Sequence, residues 1–403
     1  MLLCRKNQGC LQAHDRLNAI PSAIEQPQRR MTQQWEDHMH SQRRHNLIGG
    51  TSAQAGVPRR RLLQGAGALG LAVILRPAAV FAEPDDEHER LGPFGPWSTP
   101  VNLGPVVNTR FDDNHPAISK NGLSLYITSN RPGGVNGANS AGSSEIWVSQ
   151  RASRDADWGP PVNLDAFNSV PVVNSAKNNT GVPSFSADGH QLFFGSDRPG
   201  GLGSFDLYVS RRMNKHDDFG WQEPVNLGLI NSAAADTALT YFEDEETGII
   251  SGYVTTTRPG GPPGSLPNTF HIWVSTLGDD GSFGPAVLVP ELSSQYNDTR
   301  SAIRRDGLEF FLSSDRPNGR IGKNDIWVST RENTLEPWST PVNLGSTINF
   351  PGYVTGAPAL SWDGTTLYFY SDRPGGFGGR DLYFATRRKL GEDGDDEESR
   401  RRR

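Results

Sequence analysis

Between residues 357 and 387 the chain sets short runs of alternating apolar and polar residues between turns. APALS (357–361) is followed by the turn WDG, then TTLYFYS (365–371), the loop DRPGGFGGR, and DLYFATR (381–387). A period of two marks a strand that buries one face, so this stretch predicts three consecutive antiparallel strands. A Trp-x-x-Pro-Val-Asn-Leu phrase supplies a fourth, outer strand. Its proline, at Pro100, Pro161, Pro224 and Pro341, suits an edge position because proline has no N–H for an interior ladder.

The whole pattern recurs. The phrase starts at Trp97, Trp158, Trp221 and Trp338, with a degraded form, FGPAVLVP, at Phe283, so successive spacings are 61, 63, 62 and 55 residues. Four strands per repeat at this period predict an all-β chain, a five-bladed β-propeller with four-stranded blades. The first Trp phrase precedes any inner strand. Residues 97–104 are therefore expected to complete the last blade, whose inner strands come from 357–387, closing the ring and hiding the edges at the seam.

The repeat reads SADG…LFFGSDRPGGLGSFDLYV at 186–209 and SWDG…LYFYSDRPGGFGGRDLYF at 361–384. It resembles the WD40-like propeller repeat of TolB-type exported proteins, over roughly residues 97–388. The resemblance implies the propeller and, for function, a binding scaffold as readily as an enzyme-associated domain.

Composition narrows the classes. The 403 residues include 45 Gly and 29 Pro, as short strands joined by many turns require. The formal net charge of −6 argues against a nucleic-acid partner, which needs a positive stripe. Both cysteines, Cys4 and Cys10, precede the repeats, so no disulfide framework or thiol chemistry is expected there.

Residues 58–82, PRRRLLQGAGALGLAVILRPAAVFA, are similar to a twin-arginine export signal built on Arg59 and Arg60. Leu62 stands where that family usually has Phe, and Gln64 where Lys is frequent. The apolar stretch from Leu62 to Leu75 is 14 residues, short of the ~20 that span a bilayer. Val80-Phe81-Ala82 places cleavage after Ala82. The similarity implies an exported bacterial protein, periplasmic or secreted. Residues 1–57 lack hydrophobic periodicity and are expected to be disordered, or upstream of a true start at Met31 or Met39. Residues 389–403, ending in GEDGDDEESRRRR, read as a solvated charged tail.

Two sets of residues are candidates for chemistry. The first is the Asp-Arg-Pro-Gly-Gly loop between the second and third strands, with Arg131, Arg198, Arg258, Arg316 and Arg373 in all five copies. Repetition in every blade favours a structural role over a ring of anion-binding arginines. The expected partner is the acid opening the third strand, at Glu145, Asp206, Asp325 and Asp381, with His271 in its place in blade three. The SADG and SWDG turns faintly resemble sialidase Asp-boxes and are read as type I turns.

The second set heads the innermost strands, where one column reads Asp113, Thr180, Asp236, Asp298 and Thr355. These three carboxylates and two hydroxyls are expected to face one another around one channel mouth. Asp113, Asp236 and Asp298 are then candidate acid and base of a glycosidase, or oxygen ligands for Ca²⁺, or caps of their turns in contact with channel water, the last being the preferred reading. His115 and Arg300, in the next column, are candidates to bind a sugar or phosphate beside Thr180 and Thr355. No nucleophilic triad is placed by motif around His115, His190, His216 or His271, and no Gly-rich phosphate loop or other cofactor motif is present. The reading that follows is a monomeric binding module of the cell envelope, taking an envelope protein, a peptide or a glycan at the channel mouth. The alternative is a carbohydrate-active enzyme using the three aspartates.

Overall fold

The computed structural model describes residues 94–135, 143–169 and 171–390. The export-signal reading, the segment before it, both cysteines and the tail from 391 lie outside the described residues. Among the described residues twenty strands build five antiparallel sheets of four, with one short 3₁₀ turn at Gly228–Ile230. β1 (Val101–Asn102) stands alone at the start. Blade one is β2 (Asp113–Ile118), β3 (Ser124–Ser129), β4 (Glu145–Gln150) and β5 (Val162–Asn163). Blade two is β6 (Thr180–Phe185), β7 (Gln191–Ser196), β8 (Asp206–Arg211) and β9 (Val225–Asn226). Blade three is β10 (Asp236–Glu243), β11 (Ile250–Thr256), β12 (His271–Thr276) and β13 (Val287–Leu288). Blade four is β14 (Asp298–Ile303), β15 (Glu309–Ser314), β16 (Asp325–Thr330) and β17 (Val342–Asn343). β18 (Thr355–Leu360), β19 (Thr366–Ser371) and β20 (Asp381–Thr386) complete the chain order, and β1 pairs with β20 as the outer strand of blade five, Val101 opposite Phe384 and Asn102 opposite Tyr383. The ring closes as the repeat offset requires.

Neighbouring blades are joined by one recurring backbone bond. The first residue of each inner strand donates its N–H to the carbonyl just before the third strand of the preceding blade: Asp113 to Arg380, Thr180 to Ser144, Asp236 to Phe205, Asp298 to Phe270 and Thr355 to Asn324. Between the blades lie five apolar clusters, one per interface. The aromatic residue that opens each outer-strand phrase packs toward the preceding blade: Trp221 joins Tyr126 and Ile146, and Trp338 joins Tyr253 and Ile272.

An arginine at the end of the third strand lies over each of those tryptophans. Arg151 is 4.3 Å from the ring centre of Trp158, Arg212 4.4 Å from Trp221, Arg331 4.1 Å from Trp338 and Arg387 4.4 Å from Trp97. Blade three changes both partners together, Leu277 with Phe283, turning a cation–π pair into an apolar one.

Every inner strand carries a bulge after its first residues, at Asn114/Ala117, Gly181/Ser184, Asp236/Ala238, Thr299/Ser301 and Gly356/Ala359. Four of the five bulges hold a non-glycine residue at positive φ: His115 (46°), Val182 (59°), Arg300 (45°) and Ala357 (51°). A bulge re-aims side chains, and here it turns one residue per strand out of the pleat beside the propeller axis. The strained backbone is held by the preceding blade. The N–H of Val182 donates to Thr128 Oγ1 (2.9 Å), that of Arg300 to Thr255 Oγ1 (3.1 Å) and that of Ala357 to Ser313 Oγ (2.8 Å).

Candidate functional site

The loop arginines find a different partner from the one expected. Arg131 pairs with Asp113 at 2.5 Å, Arg258 with Asp236 at 2.7 Å, and Arg316 with Asp298. The acid that heads the first strand, and not the one that opens the third, is the counter-ion. Where the heading residue is threonine the same guanidinium points at its hydroxyl, with Arg198 to Thr180 and Arg373 to Thr355 both at 3.4 Å. All five arginines also donate to a hydroxyl at the end of the second strand and to a carbonyl in the preceding loop, such as Ser129 and Val107 O for Arg131. They lock the hairpin onto the start of its own blade.

The third-strand acids have another task. Asp206 accepts from the N–H groups of Leu202 and Gly203, Asp325 from Ile321 and Gly322, and Asp381 from Phe377 and Gly378. Each also accepts from the asparagine of the outer-strand phrase, Asn226, Asn343 and Asn102 respectively, as Glu145 does from Asn163. Blade three, which has His271 at this point, also has Leu288 where the others have asparagine.

The residues that head the inner strands are held the same way in three blades. Asp113, Asp236 and Asp298 are 0% exposed, each turned to its own blade. Asp113 accepts from the N–H and hydroxyl of Thr109, from Ser129 and from Arg131. Asp298 does the same with Ser294, Ser314 and Arg316. A carboxylate with this many donors and an ion pair has no vacant lone pair for a substrate proton. Among the described residues no group of three or more His, Cys, Asp or Glu gathers to hold a metal. Thr180 and Thr355 are buried with them and belong to the same structural column.

His115 and Arg300, by contrast, are brought together. They come from blades one and four, which are not neighbours, so the bond between them crosses the channel: Arg300 Nε donates to His115 Nε2 at 2.9 Å. That fixes His115 Nε2 as the acceptor and leaves the ring proton on Nδ1, 2.6 Å from Asn114 Oδ1. Arg300 Nη1 donates to Thr237 Oγ1 at 2.7 Å. The His115 ring meets Tyr370 edge-on at 5.7 Å, and the Arg380 guanidinium lies 5.2 Å over that tyrosine. Burial, then the charges of Arg300 and Arg380, hold the His115 pKa well below the usual imidazole value. Burial also brings Arg300 down to about 10, with Arg380 acting in the same direction.

Below this cross-link, toward the other end of the inner strands, lies a cavity of about 400 Å³ walled by all five blades. Its inner wall is Pro116, Pro183, Ser301 and Pro358; its rim carries Lys120, Asp188, Tyr241, Glu243, Glu245, Arg305 and Trp362. Rim residues of consecutive blades are linked. Glu245 takes a two-pronged bond from Arg305 (2.9 and 3.0 Å), which holds its pKa below the ordinary carboxylate value. Arg305 lies 5.3 Å from the ring of Trp362, and Lys120 Nζ lies 4.0 Å from the same ring. Tyr241 stacks on Phe193 and donates to Glu243 at 3.3 Å; burial, then the charges of Glu243 and Asp188, raise its hydroxyl pKa.

Lys120, Asp188, Glu245, Arg305 and Trp362 sit in the turns that leave the inner strands, and Tyr241 and Glu243 in the last residues of β10, whereas the residues that the sequence singles out head those strands. The signal was available. In turns otherwise written x-Asp/Asn-Gly, the variable position holds Lys120, Ala187, Arg305 and Trp362, and blade three inserts Glu245 and Glu246. The turn acids themselves are structural in part, since Asp188 accepts from Ser186 and from the His190 N–H.

No family model matches the chain, and no curated protein matches it. Solved structures similar in fold include an α-L-arabinofuranosidase from Podospora anserina in complex with cellotriose. It shows 12% identity, 73% of this chain and 96% of that one covered, and a TM-score of 0.46. Another is the catalytic domain of a GH62 α-L-arabinofuranosidase from Coprinopsis cinerea, with 12% identity, 74% and 98% covered and a TM-score of 0.48. A third is a GH43 β-xylosidase/α-arabinofuranosidase from a compost microbial metagenome with xylotriose, at 12% identity, 74% and 96% covered and a TM-score of 0.44. The likeness is one of chain course, and nothing about activity follows from it.

Proposed function

We propose that this protein is an exported propeller of the cell envelope, periplasmic or secreted and monomeric, that binds a short glycan in the cavity at the end of its inner strands. The observation that carries the reading is the composition of that cavity. Its volume of about 400 Å³ falls in the range of small-molecule sites, ~300–1,000 Å³. Tyr241 and Trp362 offer aromatic surface for the C–H faces of a sugar, and Lys120, Arg305, Glu243 and Glu245 offer donors and acceptors for hydroxyls. A nucleic acid has no basic stripe to follow here. The TolB-type character of the repeat supports an envelope setting, and the twin-arginine-like leader supports export. Among the described residues no helix is long and apolar enough to cross a membrane.

Isothermal titration of residues 83–403 with neutral and acidic di- to tetrasaccharides tests the proposal, with Trp362→Ala and Glu243→Gln alongside. A saccharide that binds the wild type and loses about tenfold or more in affinity to Trp362→Ala, roughly the 1.4 kcal/mol scale of one good contact, supports it. No binding by any saccharide at millimolar concentration overturns it.

One observation favours a hydrolytic second reading. Glu243 and Asp188 come from neighbouring blades and both line the cavity. A glycosidase needs such a pair flanking the scissile bond. Release of reducing ends by the wild type and not by Glu243→Gln would establish catalysis at that site.

A further inference from the structure

The channel end opposite the cavity holds two cations without an anion. Arg300 and Arg380 each lack a carboxylate within 4 Å among the described residues, although nine ion pairs are formed elsewhere. Arg300 uses Nε on His115 and Nη1 on Thr237, which leaves its Nη2 without a protein partner. The Arg380 guanidinium makes no hydrogen bond to the described residues and rests on the face of Tyr370. Asp112, whose backbone bridges to that of Arg380, gives its side chain no ion pair with it. Both arginines are half-buried. Burying two like charges side by side is unfavourable unless an anion completes the set. The His115 tautomer fits the same picture. With Nε2 accepting from Arg300, the ring stays neutral and adds no third positive charge, while it aims the guanidinium.

We propose that Arg300 and Arg380 form an oxyanion site in the propeller channel, taking a carboxylate or phosphate group from the mouth at which the inner strands begin, with His115 and Thr237 orienting Arg300. The planar forks of two arginines match either group. The site lies on the other side of the His115–Arg300 cross-link from the cavity and stands whether or not that cavity takes a glycan.

Thermal unfolding and isothermal titration of residues 83–403 test it, using inorganic phosphate and glucuronate as probes, with methyl glucoside and sodium chloride at matched ionic strength as controls. A saturable rise in Tm with phosphate alone assigns a phosphate ligand; a rise with glucuronate alone, a carboxylate; a rise with both, their shared chemistry. In each case Arg380→Gln should bind about tenfold more weakly or worse, the scale of one hydrogen bond to a charged group. Arg300→Gln should do the same. If that variant fails to fold, Arg380→Gln decides, since its guanidinium holds no hydrogen bond that the fold needs. Trp362→Ala, at the cavity rim, should bind inorganic phosphate as the wild type does. No rise with either anion, a rise equalled by chloride, or unchanged affinity in Arg380→Gln overturns the proposal.

Discussion

Arg258 reaches across its own hairpin to Asp236, Nη2 to Oδ1 at 2.7 Å, and the carboxylate is fully buried while the guanidinium is 9% exposed. The same geometry recurs with Arg131 and Asp113 and with Arg316 and Asp298, and as an arginine–threonine contact in the other two blades. A buried pair of this kind stabilises little in itself, but removing one member strands the other charge in a low-dielectric site.

Asp298→Ala should therefore destabilise the propeller by about 3–5 kcal/mol, the cost of an uncompensated buried charge. Asp298→Thr should cost clearly less, because blades two and five already use threonine at this point. Urea denaturation of the two variants beside the wild type measures the difference. Equal losses would mean that the carboxylate does something beyond holding its own arginine.

The cation–π column makes a second prediction. Arg331 lies 4.1 Å over Trp338, and blade three replaces the corresponding pair with Leu277 and Phe283. A double-mutant cycle on Arg331→Leu and Trp338→Phe should give a coupling energy of about 0.5–2 kcal/mol, with the double variant less destabilised than the sum of the singles. Additive losses would show that the two side chains pack independently.

Val182 carries a β-branched side chain at φ 59°, where such a residue is a conformational outlier. Val182→Asn, which tolerates the left-handed region, should raise stability by about 1 kcal/mol, the lower end of the cost of one strained residue. Calorimetric Tm is the readout. A lower Tm would mean that the apolar contacts of Val182 outweigh the strain.

His115 supplies the pH dependence. Its folded pKa is depressed, so the folded state favours the neutral ring and the unfolded chain takes up the proton first. The stability it contributes is present above the unfolded pKa of ~6.5 and is lost as pH falls below that toward the folded value. Protonation would also set a cation against Arg300. Asn at this position keeps the positive-φ backbone without a titrating ring, so wild type should lose Tm relative to His115→Asn between pH 6.5 and 4.5. Parallel curves would remove His115 from the acid response.

Much of the architecture was legible in the residues. Period-two alternation, the recurring Trp phrase and its offset determined the number of blades, the strands per blade and the closure through β1, because each is a one-dimensional property of local pattern. The recurrence of the Arg-Pro pair of the Asp-Arg-Pro-Gly-Gly loop in all five units was legible for the same reason.

Partners and directions were not legible, because they depend on which way a side chain leaves the backbone. In blades one and four two acids were within reach of the loop arginine, and only the bend of the hairpin selected Asp113 and Asp298 over Glu145 and Asp325. That choice turned the supposed acids of the channel mouth into buried counter-ions. The inner-strand bulges then placed His115 beside Arg300 across the channel, 185 residues apart in sequence, and the curvature of five separate turns gathered Lys120, Arg305 and Trp362 on one rim. Local alternation specifies strands and their order; which side chains meet at the axis is set by ring closure, which no single repeat contains.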